Sequence, residues 1–313
     1  MAVRKRFGRI GVLMGGPSTE REISLKSGKA VFEVLKDAGF DVKAIDVTTD
    51  DPGANVELIR SAEIDCAFIA LHGRFGEDGQ IQLVLETLRI PYTGSGVLAS
   101  RLAMDKISSR RIFEKSGIRV PRYKAYDRSS RNKAANDFGL PVVVKPATHG
   151  SSIGLSIVVK EEDFAAAVDL AFSYDDRIIV EEHIRGRELT VGILGGRALP
   201  VIEIIPKRDF FDFEAKYRAG MTDYIVPARL RWATASRARK AALSAHESLG
   251  CFGCSRVDII LGEGDIPYVL EVNTIPGLTS TSLLPKAAGS VGVGFRKLCL
   301  QLIKLAHEKK KRQ

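Results

Sequence analysis

Glu271 and Asn273 stand two residues apart in a strand-like run, Tyr268–Asn273, so their side chains share one face of it. Asp258 lies in the preceding strand-like run, Arg256–Leu261, across a short turn at Gly262–Asp265. A hairpin of the two runs clusters two carboxylates and an amide. Oxygen-only ligation of that kind suits Mg²⁺, which keeps waters and phosphate oxygens as its other ligands. Three polar residues on the wet face of an ordinary hairpin would give the same letters. The segment that follows, Thr274–Ser282, is rich in hydroxyls and available backbone N–H groups, and such a turn can hold an anion. Upstream, Lys145 ends the apolar run Pro141–Lys145 and leads into a small-residue loop, Thr148-His-Gly-Ser-Ser-Ile-Gly154. A lysine there would hold phosphate as a point charge beside a cradle of loop amides. The loop alone could equally be a plain hairpin turn.

The elements that must position these residues fall into three stretches. Residues 9–95 alternate strands and helices: Arg9–Met14, a helix carrying Val31, Val34, Leu35 and Ala38, strands Lys43–Val47 and Asp65–Leu71, and a helix marked by Ile81, Val84, Leu85 and Leu88. That pattern predicts a parallel three-layer α/β unit with ligands beyond the carboxyl ends of its strands. Residues 96–183 read as α+β: one helix over Ala99–Ser116, a polar loop at Asp127–Asp137, strands Pro141–Lys145 and Leu155–Val159, a helix with Phe164, Val168 and Phe172, then strand Ile178–Glu182. Residues 184–313 hold a hairpin turning at Gly195-Gly196 and a long irregular stretch, Pro206–Pro227. A helix over about 236–249, the metal-site hairpin and a last helix with Phe295, Leu298, Cys299, Leu302, Ile303 and Ala306 on one face complete it. Long connections of this kind are often lids.

Composition narrows the function classes. The chain has 313 residues, 45% hydrophobic and 27% charged, which is globular and long enough for more than one core. No apolar run approaches a membrane span, and the short run Ile10–Met14 does not make a signal peptide, so a cytosolic protein is expected. The net charge of +9 is concentrated in two tails: residues 1–9 carry +4 and residues 308–313 carry +3, leaving only +2 for the body. A nucleic-acid partner is therefore not expected. The four cysteines include one Cys-x-x-Cys pair, Cys251 and Cys254, which leads into a strand and has no second pair, so buried thiols fit better than zinc or redox chemistry. Two nucleotide motifs fail: Gly15-Gly-Pro-Ser18 is not a dinucleotide fingerprint, and Ser27-Gly-Lys-Ala30 lacks the first glycine and the final hydroxyl of a P-loop.

Taken in order, a set of short stretches resembles the ATP-grasp superfamily and, within it, the D-alanine–D-alanine ligase family. They are Gly15-Gly-Pro-Ser-Thr-Glu-Arg-Glu22, Leu71-His-Gly73 with Gly76-Glu-Asp-Gly79, and Tyr92-Thr-Gly-Ser-Gly96. Met104-Asp-Lys106, Val144-Lys-Pro146, Gly150-Ser-Ser-Ile-Gly154, Glu214-Ala-Lys-Tyr217, Arg256-Val-Asp258 and Glu271-Val-Asn-Thr-Ile-Pro-Gly-Leu-Thr279 follow. The likeness runs from about Ile10 to Ala306. It implies a three-domain ATP-grasp architecture: an N-terminal domain over 1–95 for the first D-alanine, a central domain over 96–183, and a C-terminal domain over 184–313 with a mobile lid at 206–227. ATP would be held between the last two.

The resemblance also implies roles. Lys106 and Lys145 would hold the ATP phosphates, Lys216 the γ-phosphate, Glu181 and Ile184 the adenine, and Glu188 the ribose. Asp258, Glu271 and Asn273 would hold two Mg²⁺ ions, with Mn²⁺ able to substitute. Glu20 would bind the first D-alanine's ammonium, with His72 beside it; a strand-end histidine satisfied by backbone is the plainer alternative. Arg256 and the Gly277 amide would stabilise the tetrahedral oxyanion. Ser282 and the Leu283 amide would take the second substrate's carboxylate, and Ser282 could at the same time cap a helix. Tyr217 would close over the site onto Ser151, which links to Glu20. Family members that make the D-lactate ester commonly lack this tyrosine, so its presence favours the amide product, D-alanyl-D-alanine for peptidoglycan. D-lactate or D-serine as second substrate, or a non-catalytic ATP-binding regulator, are the rival readings. A homodimer is the family's usual assembly. One departure stands out: His149 precedes Gly150 where an acidic or polar residue is expected, so the charge of the loop near ATP would change with pH.

Overall fold

The computed structural model describes residues 7–207 and 222–310. Three sheets follow one another along the chain. Strands β1 (Ile10–Gly15), β2 (Val42–Val47) and β3 (Cys66–Ile69) form a parallel sheet in the order β2-β1-β3. β1 and β3 are buried along their whole length, which is why they read as unbroken apolar runs. Helices α1 (Arg21–Asp37), α2 (Pro52–Ser61) and α3 (Gln80–Thr87) connect and cover them. α1 seats very close to β1: a Cβ on Gly28 would lie 2.4 Å from the Met14 Cβ. The glycine of the P-loop-like Ser27-Gly-Lys stretch thus serves helix–strand packing.

The second sheet is antiparallel, β4 (Tyr123–Asp127), β7 (Arg177–Glu182), β5 (Val142–Pro146) and β6 (Ser156–Val158) in that order, backed by α6 (Phe164–Tyr174). The third, also antiparallel, runs β10 (Thr222–Ile225), β9 (Arg197–Pro206), β8 (Arg187–Leu194), β11 (Cys254–Gly262), β12 (Ile266–Asn273), with α7 (Trp232–Ser248) packed on it. The molecule is thus mixed α/β, with the parallel sheet at its N-terminal end.

Several elements differ from the sequence reading. The helix expected over Ala99–Ser116 is two, α4 (Val97–Met104) and α5 (Lys106–Lys115). Asp105 breaks it by adopting an extended backbone and accepting from the Ile107 and Ser108 amides at 2.9 and 3.1 Å. The polar Asp127–Asp137 stretch contains a 3₁₀ turn, Arg128–Lys133, closed by a capping box between Asp127 and Ser130. Part of the irregular Pro206–Pro227 stretch is β10, paired to the edge of β9. α7 begins at Trp232, four residues before the expected start, on a side chain that is 85% exposed and so shows no burial periodicity.

The last helices, α8 (Leu283–Gly289) and α9 (Phe295–Lys310), cross back to the N-terminal sheet. Leu298, Cys299, Leu302 and Ile303 share one core with Ile10, Val31, Leu35 and Phe68. The chain's two ends are therefore locked together, and the parallel sheet is held against the third one. None of the four cysteines is in a disulfide; burial pushes Cys251 up to about 11 and Cys254 to about 12.

Candidate active site

Two cavities meet in the cleft between the sheets. The larger, about 670 Å³, lies between the second and third sheets and takes in Lys145, Glu181, Ile184 and Glu188. The smaller, about 360 Å³, lies against the parallel sheet and takes in Glu20, His72, Ser151, Arg256, Asn273, Gly277, Ser282 and Leu283. Lys106, Asp258 and Glu271 line both. Every described residue predicted from sequence therefore falls in one space of two chambers, with a lysine and two carboxylates at the junction. Lys216 and Tyr217 lie outside the described residues.

The junction is built by strand register. Asp258 on β11 pairs with Glu271 on β12 and with Thr190 on β8, and Arg256 pairs with Asn273. This places the polar side chains on one face of three adjacent strands. Arg256 grips Asp258 with both forks, Nε to Oδ1 at 2.9 Å and Nη2 to Oδ2 at 2.7 Å. The Thr190 hydroxyl donates to Asp258 Oδ1 at 2.7 Å. Glu271 lies 3.3 Å from Lys106 Nζ, and the Asn273 side-chain oxygen accepts from the Ile275 amide at 3.0 Å. Among the described residues no three His, Cys, Asp or Glu side chains converge as a metal cage. The donor set is two carboxylates and an amide, all oxygen, facing a cavity. That chemistry fits Mg²⁺ held partly by a ligand's own phosphates and does not fit a closed all-protein site.

The larger chamber has a buried cationic floor. Lys106, Lys145 and Arg110 are all buried, against a buried Glu181. Lys145 Nζ donates to Glu181 Oε1 at 2.7 Å, and Arg110 Nη1 lies 2.5 Å from Glu181 Oε2. Burial pushes Lys145 down to about 8, helped by the Arg110 and Lys106 charges and opposed by Glu181. Burial also acts to raise Glu181, but Arg110 and Lys145 outweigh it and hold the carboxyl below its usual range. Lys145 and Arg110 share the one carboxylate of Glu181 while Lys106 pairs with Glu271, so this floor carries an excess positive charge that a polyphosphate would neutralise. Lys106 Nζ also donates to the His149 carbonyl at 2.6 Å, which ties α5 to the small-residue loop. That loop turns through positive φ at Ser151 and Ser152.

In the smaller chamber Glu20 stands just ahead of α1 and accepts a hydrogen bond from the Ser151 hydroxyl. This joins the parallel sheet to the phosphate loop of the second. His72 is buried at the end of β3 with both ring nitrogens engaged: Nδ1 lies 3.3 Å from Glu77 Oε1 and Nε2 lies 3.2 Å from Ser27 Oγ. It is satisfied by side chains and not by backbone. Ser27 Oγ in turn accepts from the Leu278 amide at 3.5 Å. The consistent proton arrangement is Leu278 N–H to Ser27, Ser27 O–H to His72 Nε2, and His72 Nδ1–H to Glu77. Burial pushes the Glu77 carboxyl up, with His72 opposing and the Glu20 charge adding to it. Ser282 occupies the N-cap position of α8 but caps nothing there. Its hydroxyl accepts from the Thr279 amide at 3.1 Å and bonds the Thr279 hydroxyl at 2.8 Å, folding the 277–282 turn instead. A Cβ on Gly277 would come 2.9 Å from that hydroxyl.

Three working residues escaped the sequence reading. Arg110 sits one helical turn after Lys106, at i+4 on the same face of α5, a spacing that could have flagged it. Ser27 carries no local signal, because its partner His72 is 45 residues away, and Glu77, though only five residues after His72 and within the quoted Gly76–Gly79 stretch, is not marked there as the ring's partner.

The family model described as D-ala D-ala ligase C-terminus matches residues 112–304, and the one described as D-ala D-ala ligase N-terminus matches residues 52–95. A D-alanine–D-alanine ligase of Geotalea uraniireducens is 50% identical over 299 residues, 95% of either chain. One from Pelotomaculum thermopropionicum is 48% identical over 96% of this chain and 97% of its own. Among solved structures, the D-alanine–D-alanine ligase of Bacillus anthracis complexed with ATP superposes with a TM-score of 0.83 at 33% identity, covering 97% of this chain and 99% of its own. The VanG D-Ala:D-Ser ligase of Enterococcus faecalis gives 0.84 at 31% identity, over 96% of this chain and 100% of its own.

Proposed function

The chain belongs to the D-alanine–D-alanine ligase family, and from that premise we propose how its two chambers perform ATP-dependent ligation of two D-alanines. The observation that carries the reading is the junction: one lysine and two carboxylates shared by a cationic nucleotide-sized cavity and a smaller polar one. A γ-phosphate and a substrate carboxylate would meet there.

ATP lies in the larger chamber, its phosphates against Lys106 and Lys145, its adenine near Glu181 and Ile184, its ribose near Glu188. The first D-alanine sits in the smaller chamber with its ammonium at Glu20, which accepts from the Ser151 hydroxyl. Its carboxylate oxygen attacks the γ-phosphorus, and ADP leaves. A carboxylate is a poor electrophile, and the acyl phosphate so formed has a good leaving group. Mg²⁺ at Asp258, Glu271 and Asn273, two ions in this reading, would neutralise charge on the transferring phosphoryl group. The second D-alanine binds by its carboxylate at Ser282 and the Leu283 amide. Its amine, once deprotonated, attacks the acyl carbon; Arg256 and the Gly277 amide face the oxyanion that develops, and phosphate departs. Lys216 would add a cation at the γ-phosphate and Tyr217 would close onto Ser151. The product is the D-alanyl-D-alanine used in peptidoglycan synthesis.

The divisions 1–95, 96–183 and 184–313 are the proposed domains; each sheet falls wholly within one of them. A cytosolic homodimer is proposed on family likeness. Among the described residues no helix is long and apolar enough to cross a membrane.

D-serine as second substrate has one observation in its favour, the VanG likeness. The fold alone does not separate the two, since the Bacillus anthracis ligase superposes equally well. The higher-identity relatives favour D-alanine. The test offers Mg-ATP with D-alanine alone, and with D-lactate or D-serine added, and identifies products by mass. D-Alanyl-D-alanine is expected as the main product, with ADP and phosphate in equal amounts. A mixed ester or D-alanyl-D-serine as main product would break the reading of the second subsite. In the same assay Tyr217→Phe should raise the share of D-lactate ester relative to dipeptide, and an unchanged product ratio would remove Tyr217 from that role.

A further inference from the structure

His149 stands at the head of the small-residue loop, and the structure gives it a defined setting. His149 lies where the larger chamber, beside Lys106 and Lys145, adjoins an outer polar cleft of about 460 Å³, and it lines both. Nδ1 is buried, makes no hydrogen bond, and lies 3.8 Å from Asp175 Oδ2, within ion-pairing distance. Asp175 is itself held firmly, accepting from the Thr148 amide at 2.7 Å, the Thr148 hydroxyl at 2.6 Å and the Arg177 amide at 3.0 Å. Although burial opposes it, the His149 and Thr148 contacts keep the Asp175 carboxyl well below the usual carboxylate range. Tyr174 packs edge-on to the imidazole at 6.0 Å. The residue's backbone carbonyl accepts from Lys106, which fixes the main chain at the floor of the larger chamber.

A fixed carboxylate behind Nδ1 decides the tautomer. A neutral ring keeps its proton on Nδ1, toward Asp175, and leaves Nε2 as an acceptor. An acceptor faces phosphate oxygens unfavourably. A protonated ring keeps the Asp175 contact and gains an Nε2–H donor with positive charge. We infer that His149 is a further phosphate-binding residue of the nucleotide chamber, oriented by Asp175, which binds the ATP polyphosphate only as imidazolium. The inference rests on the ATP reading above. The other charges that face it are Lys106 and Lys145 within the chamber, and Arg74, Arg101 and Arg128 set against Asp78, Asp105 and Asp176 around the outer cleft.

Linkage makes this measurable in the whole protein. If protonation favours nucleotide, nucleotide must favour protonation by the same factor. The five histidines are few enough to follow individually by NMR. Saturating MgADP should raise the titration midpoint of His149 by about 0.5 to 1 pH unit, equivalent to about threefold to tenfold in affinity. In equilibrium binding, the wild-type protein should hold MgADP about threefold to tenfold more tightly than His149→Gln at pH 6, and equally at pH 8.5. Because ADP's own phosphate titrates in both proteins, only the ratio between them reports on His149. His149→Lys, with a fixed charge, should keep tight binding at both pH values. A midpoint unmoved by MgADP, or parallel pH profiles for wild type and His149→Gln, would overturn the inference while leaving the ATP reading intact. Failure of the wild-type protein to bind MgADP at any pH would overturn both.

Discussion

Replacing Arg256 with methionine should lower turnover by about 10²- to 10³-fold, the usual loss when one oxyanion donor is removed. The KM for ATP should stay within about twofold of wild type. The guanidinium lies in the smaller chamber, on the strand face that carries Asp258 and Asn273. Its fork on Asp258 fixes its direction, so the donors are already aimed before any charge develops. Methionine preserves length and packing but donates nothing. Asp258 would lose its cationic partner, yet it keeps the Thr190 hydroxyl and remains free to meet a metal, so nucleotide binding should survive. Steady-state kinetics in both substrates checks this. A KM for ATP that rises strongly while turnover is spared would move Arg256 into the nucleotide site and out of acyl transfer.

Arg110→Met should destabilise the protein by about 3–5 kcal/mol, the cost of leaving a buried charge without its partner. Arg110 is fully buried, and its guanidinium faces the equally buried Glu181 carboxylate, with the Tyr123 ring 5.3 Å away. Without it Glu181 keeps only Lys145, whose proton affinity burial already lowers. Because Glu181 loses a cation that holds it ionised, the variant should bind ATP more weakly as well as unfold earlier. The double variant Arg110→Met, Glu181→Gln removes the buried anion too and should recover much of the stability but not the nucleotide affinity. Denaturant unfolding of the single and double variants measures both effects. Equal stability of Arg110→Met and wild type would show that the pair contributes nothing to the fold.

The parts of this molecule legible in its sequence are those in which local pattern and final burial coincide. β1 and β3 are apolar runs because both faces are covered. The hairpin of β11 and β12 is legible because a period of two places Glu271 and Asn273 on one face whatever the tertiary setting. Much of the rest depended on partners far along the chain. The break at Asp105 is made locally, by its cap on the Ile107 and Ser108 amides, but helical spacing persists on both sides and masks it. The edge strand β10 has a single neighbour, β9, and only four residues, too few for a readable alternation. α9 shows its apolar stripe clearly, but the stripe does not say that it packs on β1 and β3 at the opposite end of the sequence. Within the cleft, charged residues with short motifs around them could be named in advance as candidates, whereas Arg110 and Ser27 join it through contacts that no motif announces. Ser282 stands at the expected N-cap position, but its hydroxyl bonds Thr279 and caps nothing, because Thr279 lies within reach.

The central claim is that the two chambers meet so that a carboxylate oxygen can attack the γ-phosphorus. It is tested most directly by supplying D-alanine labelled with ¹⁸O in both carboxylate oxygens and weighing the released phosphate. An acyl phosphate carries one carboxylate oxygen as its bridge, and that oxygen leaves with phosphorus when the amine displaces it. One ¹⁸O is expected in each phosphate released and one retained in the peptide carbonyl derived from the first D-alanine. Unlabelled phosphate, with both labelled oxygens still in amino acid or peptide, would contradict it.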